Sequence, residues 1–392
     1  MSGQGFDLAI FGGGIAGLWT LARLRRAGFR ACLLEARGLG GVQSIASQGI
    51  LHGGVKYALT GQLSGAAQAL AEMPGRWRAA IAGQGEIDLR GVRRLADYQY
   101  LWSSEEVLSR LTGFFASHAM RSRMAAVEGD TRPELFRTPA FHGSLYRLEE
   151  PILDLPSLIA VLAQENAGAC FLASPQQTTL SSEGDGFRIR IGDQVLSARR
   201  LLFTAGAGNR ALLAQLNRSR PAMQTRPLQM VMVRGELPAL FGHCLGVGAN
   251  PRLTVTSHHH ASGERVWYLG GDLAEQGVGR PPAEQIAAAR TELHNVLPWV
   301  DLTGGRWATL NIDRAEVATP GGKRPDDCFL DGEAGVYTAW PTKLVFAPRL
   351  ADQMLDRLGA EGIRPSTATA PLPNLPFPPI ARPPWEEVLS WN

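Results

Sequence analysis

The residues best suited to chemistry begin near the N-terminus, where Gly12, Gly14 and Gly17 stand in the spacing GxGxxG. At that spacing the first glycine permits a tight strand-to-helix turn and the second lets the backbone approach a pyrophosphate. The third lets helix and strand pack closely. A helix opening at Ile15 and Ala16 offers unpaired N–H groups and a partial positive charge to phosphates. Glu35, followed by Ala36 and Arg37, is placed to accept hydrogen bonds from a ribose diol. Its carboxylate would repel a phosphate on that ribose, which favours FAD or NAD over NADP.

Further along, His52 lies in a glycine-rich run. An imidazole titrating near neutrality suits removal of a proton from an alcohol or amine while a hydride departs. The alternative is a histidine that orients its own loop. His258, His259 and His260 fall in an expected strand, where alternate side chains point to opposite faces. At most two of them share a face, with His259 the candidate for the substrate side. No carboxylate or cysteine stands at ligand spacing around the run, so no metal is expected. Taken alone, Lys56 and Lys343 read as surface charges.

These residues need particular elements to hold them. Phe6–Phe11 reads as a buried parallel strand, and Ile15–Ala27 as a helix burying Leu18, Leu21, Ala22 and Leu24. Gly28 stops that helix, and a second strand runs from Arg30 to Leu34 into Glu35. Glu149-Glu150-Pro151-Ile152-Leu153-Asp154 precedes a helix over 156–166, and Glu183-Gly184-Asp185-Gly186 reads as a hairpin turn. Two further strands, Arg252–His260 and Arg265–Gly271, flank a turn at 261–264.

Composition narrows the function classes. With 392 residues, 45% hydrophobic and 19% charged, two intertwined domains are expected. The net charge of +3 is too small to imply nucleic-acid binding. Cys32, Cys170, Cys244 and Cys328 form no CxxC pair, which argues against a zinc or iron–sulfur site and suits a reducing cytoplasm. Neither a signal peptide nor an apolar run long enough to span a membrane is read.

The run Ser47-Gln48-Gly49-Ile50-Leu51-His52-Gly53-Gly54-Val55-Lys56-Tyr57 resembles the flavin-facing loop of FAD-dependent oxidoreductases related to D-amino-acid oxidase, glycine oxidase, L-2-hydroxyglutarate dehydrogenase and flavin-linked glycerol-3-phosphate dehydrogenase. Leu201–Gly208 is similar to that superfamily's second dinucleotide contact, and Gly335–Pro348 to its closing strand–turn–helix. The resemblance implies FAD rather than NAD, and an α/β fold: a Rossmann-type FAD-binding domain with an intertwined substrate domain of β-sheet plus helices. It assigns 1–80, 146–219 and 306–370 to the FAD-binding domain, 81–145 and 220–305 to the substrate domain, and 371–392 to a proline-rich tail.

The FAD contacts it implies, beyond the fingerprint, are Ser44, Ser47, Gln48, Gly53, Gly54, Ala205, Gly206, Pro341, Thr342, Lys343 and Leu344. It further implies hydride transfer from a small polar metabolite to flavin N5, with His52, Lys343 and His259 as catalytic candidates. Oxygen or a quinone would take the electrons, and covalent attachment of the flavin stays open. The flavin loop leans to a hydroxy compound of the glycerol-3-phosphate or 2-hydroxy-acid type. Glycine-oxidase-like amine oxidation and a non-catalytic FAD-binding interaction protein are the alternatives.

One departure stands out. Trp307-Ala308-Thr309-Leu310 is followed by Asn311, where amino-acid oxidases of the family carry a carboxylate-clamping arginine; Arg306, Arg314 and Arg324 are only nearby. The tail, PLPNLPFPPIARPPWEEVLSWN, is expected to be extended. It would serve as a strap on its own protein, or touch a partner or a membrane face.

Overall fold

The computed structural model describes residues 5–53, 65–103, 124–246, 250–365, 372–388 and 390–392. Numbered in chain order among these residues, strands β1 (Phe6–Phe11), β2 (Ala31–Glu35), β8 (Cys170–Leu172), β9 (Thr178–Glu183), β10 (Gly186–Ile191), β11 (Gln194–Phe203), β17 (Phe329–Glu333) and β18 (Val336–Trp340) form one sheet. Strands β4 (Gln99–Ser103), β5 (Met124–Ala126), β6 (Ser144–Leu148), β12 (Met223–Gly235), β13 (Gly242–Cys244), β14 (Leu253–His259), β15 (Arg265–Gly270) and β16 (Arg306–Val317) form a second. β3 (Arg94–Ala96) and β7 (Ile152–Leu153) make a short ribbon between them. The helices are α1 (Ile15–Arg26), α2 (Gly65–Ile81), α3 (Leu155–Glu165), α4 (Asn209–Gln215), α5 (Asp272–Gln276), α6 (Pro282–Val296), α7 (Ala347–Ala360) and α8 (Pro384–Glu387).

In the first sheet β8, β2, β1, β11 and β18 run parallel. β1 is buried along its whole length, as its unbroken apolar sequence requires of a strand covered on both faces. Leu8 and Ile10 meet Leu18 and Leu21 of α1, Leu158 and Leu162 of α3, and Leu350 and Met354 of α7. Ala9 and Phe11 point the other way, toward Leu34, Phe187, Ile189 and Leu213. There the hairpin β9–β10 extends antiparallel from β11.

The second sheet is antiparallel except where β13 meets β4. Strand alternation sorts its side chains. Val231, Val233, Val255, Trp267 and Trp307 pack with Leu293 of α6 on one face. Met230, Met232, Tyr268, Ala308 and Ile312 pack on the other face with Ala46 and Trp385, which come from outside the sheet. That second face looks toward the first body.

Two segments depart from the sequence-based division of the chain. Residues Arg306–Val317, expected with the FAD-binding part, pair along their length with β12 in the second sheet. Residues 81–92, expected with the substrate part, remain with the first body, because Ile87, Leu89 and Val92 bury into the core beside α2 and α3. Neither segment contains a glycine fingerprint or hairpin signal that would have said which core its apolar residues join.

Candidate functional site

The parallel strands bring four turns to one edge. The turns after β1, β2, β11 and β18 lie at carboxyl ends, the edge where open α/β sheets bind ligands. At the first turn Gly12 takes φ 108°, and any Cβ on Gly17 would run into the Gly12 carbonyl oxygen. α1 follows with no acidic residue in its first turn. The Glu35 carboxylate accepts from the N–H groups of Gly13 (2.6 Å), Arg37 (2.9 Å) and Gly38 (3.3 Å). A carboxylate has about four acceptor sites, so capacity for a hydroxyl remains.

Ser44 Oγ accepts from the Ile15 N–H at 2.9 Å, tying the segment after β2 to the helix start. The Ser47 hydroxyl is buried with no hydrogen-bond partner among the described residues. At the third turn Thr204 Oγ donates back toward the Phe11 and Gly12 carbonyls, while Asn209 Oδ1 accepts from the Ala205 N–H at 2.7 Å. Trp340 Nε1 donates to the Gly206 carbonyl at 3.2 Å, linking the third turn to the fourth. The fourth turn, Pro341–Leu344, leads through a short 3-10 turn into α7, with Thr342 at φ 57°. Backbone donors, a helix start, small residues and a buried hydroxyl without a partner suit an extended dinucleotide.

Next to this crevice, residues 49–53 are laid along 150–153. Leu153 N donates to the Gly49 carbonyl and Leu51 N to that of Pro151. The arrangement places His52 beside Glu150, a carboxylate only 6% exposed. Glu150 accepts from Gly53 N (2.5 Å) and Gln99 Nε2 (2.6 Å), and lies 3.8 Å from His52 Nδ1. The His52 ring stacks on His243 of the second sheet, centroids 5.6 Å apart. His243 in turn shares a 2.8 Å hydrogen bond with the Thr254 hydroxyl, and burial pushes its pKa down to about 4. Its ring is therefore neutral near pH 7, so it cannot compete electrostatically with His52 for Glu150.

Glu150, Gln99 and His243 were missed in the sequence. Glu150 sits before a proline at a helix entrance, which reads as a surface acid. His243 lies in a three-residue strand with no motif around it.

Other sequence candidates fall differently. His259 is exposed at the end of β14 on the face away from the first body, because Thr254, Thr256 and His258 occupy the facing side of the strand. The histidine turned inward is His258, not His259. Gln48 reaches the second sheet, donating to the Tyr268 carbonyl at 2.9 Å and to Thr256 Oγ at 3.5 Å. Lys343 Nζ lies 3.4 Å from the Asp326 carbonyl and over the Phe346 ring. Gly54 and Lys56 lie outside the described residues.

Asn311 is exposed and pairs with Gln229, on the same side of β16 as Trp307 and so away from the first body. Of the nearby arginines, Arg306 pairs with Glu264 and Arg314 lies 3.5 Å from Glu275. Arg314 is pulled down to about 10 by burial and by neighbouring Arg226 and Arg324. Arg324 donates to the Thr342 carbonyl at 2.7 Å.

A parallel sheet with a glycine turn and terminal acid, facing an antiparallel sheet across a polar joint, defines a dinucleotide-dependent oxidoreductase. The chain belongs to the DAO family of FAD dependent oxidoreductases, whose model matches residues 7–346. It is 50% identical over 382 residues to the Pseudomonas aeruginosa protein "Probable FAD-dependent oxidoreductase PA4991", covering 97% of each chain. The crystal structure of that protein superposes with a TM-score of 0.84, at 45% identity and 98% coverage of both chains.

More distant structures share the fold. Glycine oxidase from Geobacillus kaustophilus has a TM-score of 0.66 at 17% identity, covering 96% of this chain and 98% of that one. L-alpha-glycerophosphate oxidase from Mycoplasma pneumoniae, with FAD bound, has a TM-score of 0.63 at 13% identity, covering 95% and 99%. This protein is thus an FAD-dependent oxidoreductase. Among the described residues no helix is long and apolar enough to cross a membrane.

Proposed function

We propose that this enzyme oxidises a small polar hydroxy compound of the glycerol-3-phosphate or 2-hydroxy-acid type. The observation that carries the reading is His52, held against buried Glu150 and stacked on neutral His243. An ammonium substrate can reach its minor free-base form by exchange with water before the hydride leaves, so amine oxidation makes the smaller demand on a base such as His52. A hydroxyl proton leaves only as the hydride leaves, and needs a base within reach. His52 takes that proton in this reading, and the Glu150 charge beside Nδ1 favours the imidazolium that results.

FAD, when bound, would supply a two-electron acceptor for the hydride at N5, with oxygen or a quinone as the final oxidant. Gly12, Gly14, Ile15, Ala16 and Gly17 would present main chain to its pyrophosphate, and Glu35, Ala36 and Arg37 would meet its ribose. Ser44, Ser47, Gln48, Gly53, Ala205 and Gly206 line the route to the flavin. Pro341, Thr342, Lys343 and Leu344 would meet its pyrimidine edge, where main-chain donors would favour developing negative charge. In this reading the first sheet would hold FAD and the second would close over the substrate.

The test follows flavin absorbance of the purified holoenzyme anaerobically. One panel holds glycerol-3-phosphate and 2-hydroxy acids, the other amino acids and secondary amines. Bleaching by the first panel alone is expected. His52→Ala should slow it by roughly 100- to 10,000-fold with FAD retained. Bleaching by amines alone would reject the hydroxy-compound reading, and an unslowed His52→Ala would remove His52 from the proton transfer.

A further inference from the structure

The C-terminal strap reaches the cofactor-facing segment through a continuous chain of side chains. Beyond the described part of α7 and its exit, the extended tail crosses the first body, where Leu172 N donates to the Pro376 carbonyl and Leu39 N to that of Pro379. It ends on the second sheet, where the main chains of Asn392 and Trp307 exchange two hydrogen bonds. Between these anchors Trp385 is 3% exposed, and its ring stacks on His258 at 3.9 Å with planes 24° apart.

His258 Nε2 shares a 3.0 Å hydrogen bond with Thr256 Oγ, the same hydroxyl that Gln48 Nε2 approaches at 3.5 Å. Tyr268 meets both the Trp385 and His258 rings in T-shaped geometry, and its hydroxyl donates to the Ala46 carbonyl at 2.9 Å. Gln48 closes the circuit on the Tyr268 carbonyl at 2.9 Å. Ala46 and Gln48 bracket Ser47, whose buried hydroxyl has no partner among the described residues. Among the described residues, the circuit that starts at the Trp385 stack thus reaches this segment at Ala46 and Gln48, the two neighbours of Ser47.

We propose that Trp385 is a positioning residue for the FAD-facing segment Ala46–Gln48, so that the strap sets how tightly that segment is held against the cofactor. The proposal rests on the reading of this segment as cofactor-facing. Stacked rings fix the position of His258 more firmly than an aliphatic contact would, because ring stacking is directional. With His258 fixed, Thr256 offers Gln48 its hydroxyl in one orientation. Trp391 belongs to the same strap and packs at the margin of the cluster that holds Trp385, but its ring meets Arg234, with the guanidinium 4.6 Å from the centroid, and His260 at 6.2 Å rather than His258 or Tyr268. It therefore serves as an internal control for mere loosening of the tail.

The experiment compares holoenzyme carrying Trp385→Ala, Trp385→Phe or Trp391→Ala. It reads the visible flavin spectrum and the rate of FAD release, followed as a rise in flavin fluorescence. Trp385→Ala should alter the spectrum and speed release about tenfold, the effect of one lost hydrogen bond. Trp385→Phe should recover most of the difference, and Trp391→Ala should release FAD at the wild-type rate.

Should Trp385→Ala fail to fold, His258→Leu keeps the bulk, breaks the bond to Thr256 and is expected to give the same faster release. A folded Trp385→Ala with wild-type spectrum and release overturns the proposal, as does a Trp391→Ala effect of equal size. Wild-type protein that keeps no FAD would instead overturn the reading beneath it.

Discussion

The crevice at the carboxyl ends of the parallel strands and the polar joint beside it are built on opposite plans. The crevice is made of main chain: turn N–H groups, a helix start, and an acid whose carboxylate is occupied by three backbone donors. The joint is made of side chains that come from distant segments, with Glu150 meeting Gly53 and Gln99, and His52 meeting His243. A main-chain site recognises what all dinucleotides share and fails when a Cβ intrudes. A side-chain site sets proton chemistry and responds to pH. The two regions should therefore break in different ways.

The largest effect is expected from Gly17→Val. Its Cβ would collide with the Gly12 carbonyl oxygen, and Thr204 Oγ lies just behind at 2.8 Å. Overpacking of this sort costs on the order of 1–3 kcal/mol and moves the helix start away from the strand. The variant should lose FAD on desalting while an unaltered His52 remains in place. A yellow Gly17→Val protein of normal stability would mean that the turn tolerates what the geometry forbids, and the crevice would no longer be the rigid partner in the comparison.

The same contrast explains what could be read from the chain before its fold was known. Gly12, Gly17 and Glu35 are constrained by backbone geometry that always uses those residue types at those intervals, so the crevice was legible, as were the first strand, helix and second strand. The hairpin at Glu183–Gly186 and the pair β14–β15 were legible for a similar reason, since turn chemistry is local. The joint depends on which distant segments come to lie together. Nothing near His243 marks it, and only strand register decides that His258 rather than His259 faces the first body. The expected strap was visible as proline-rich sequence, whereas its stacking of Trp385 on His258 was not.

A more graded effect should come from acid. Burial lowers the pKa of His243 from its ordinary 6.5 to about 4, and that of His258 to about 3, with His259 adding to the latter. Below about 6.5 the unfolded chain binds a proton on each ring that the folded protein refuses. Stability is thus intact above that pH and falls through the window down to about 4 and about 3. The slope is at most ~1.4 kcal/mol per pH unit for each histidine. Melting temperature measured from pH 8 to 4 should fall in this window, and less steeply in His243→Asn. An identical slope in that variant would show that the joint does not supply the acid sensitivity.

The smallest effect sharpens the comparison most. Asn311 occupies the place where a matching sequence position in amino-acid oxidases of the family carries an arginine, so Asn311→Arg looks like the restoration of a carboxylate clamp. The unbroken pairing of β12 with β16, from Met223 opposite Val317 to Arg234 opposite Arg306, argues against that outcome. With no bulge in that register, position 311 shares its side of the strand with Trp307, while Ala308, Leu310 and Ile312 face the first body. An arginine there enters solvent from an exposed position, and exposed substitutions of this kind stay within about ±0.5 kcal/mol. Asn311→Arg should therefore gain no flavin bleaching by amino acids and lose none by hydroxy compounds. If it does gain bleaching by amino acids, β16 must shift register by one residue when substrate binds. The second sheet would then be the adaptable wall of the site rather than a fixed one.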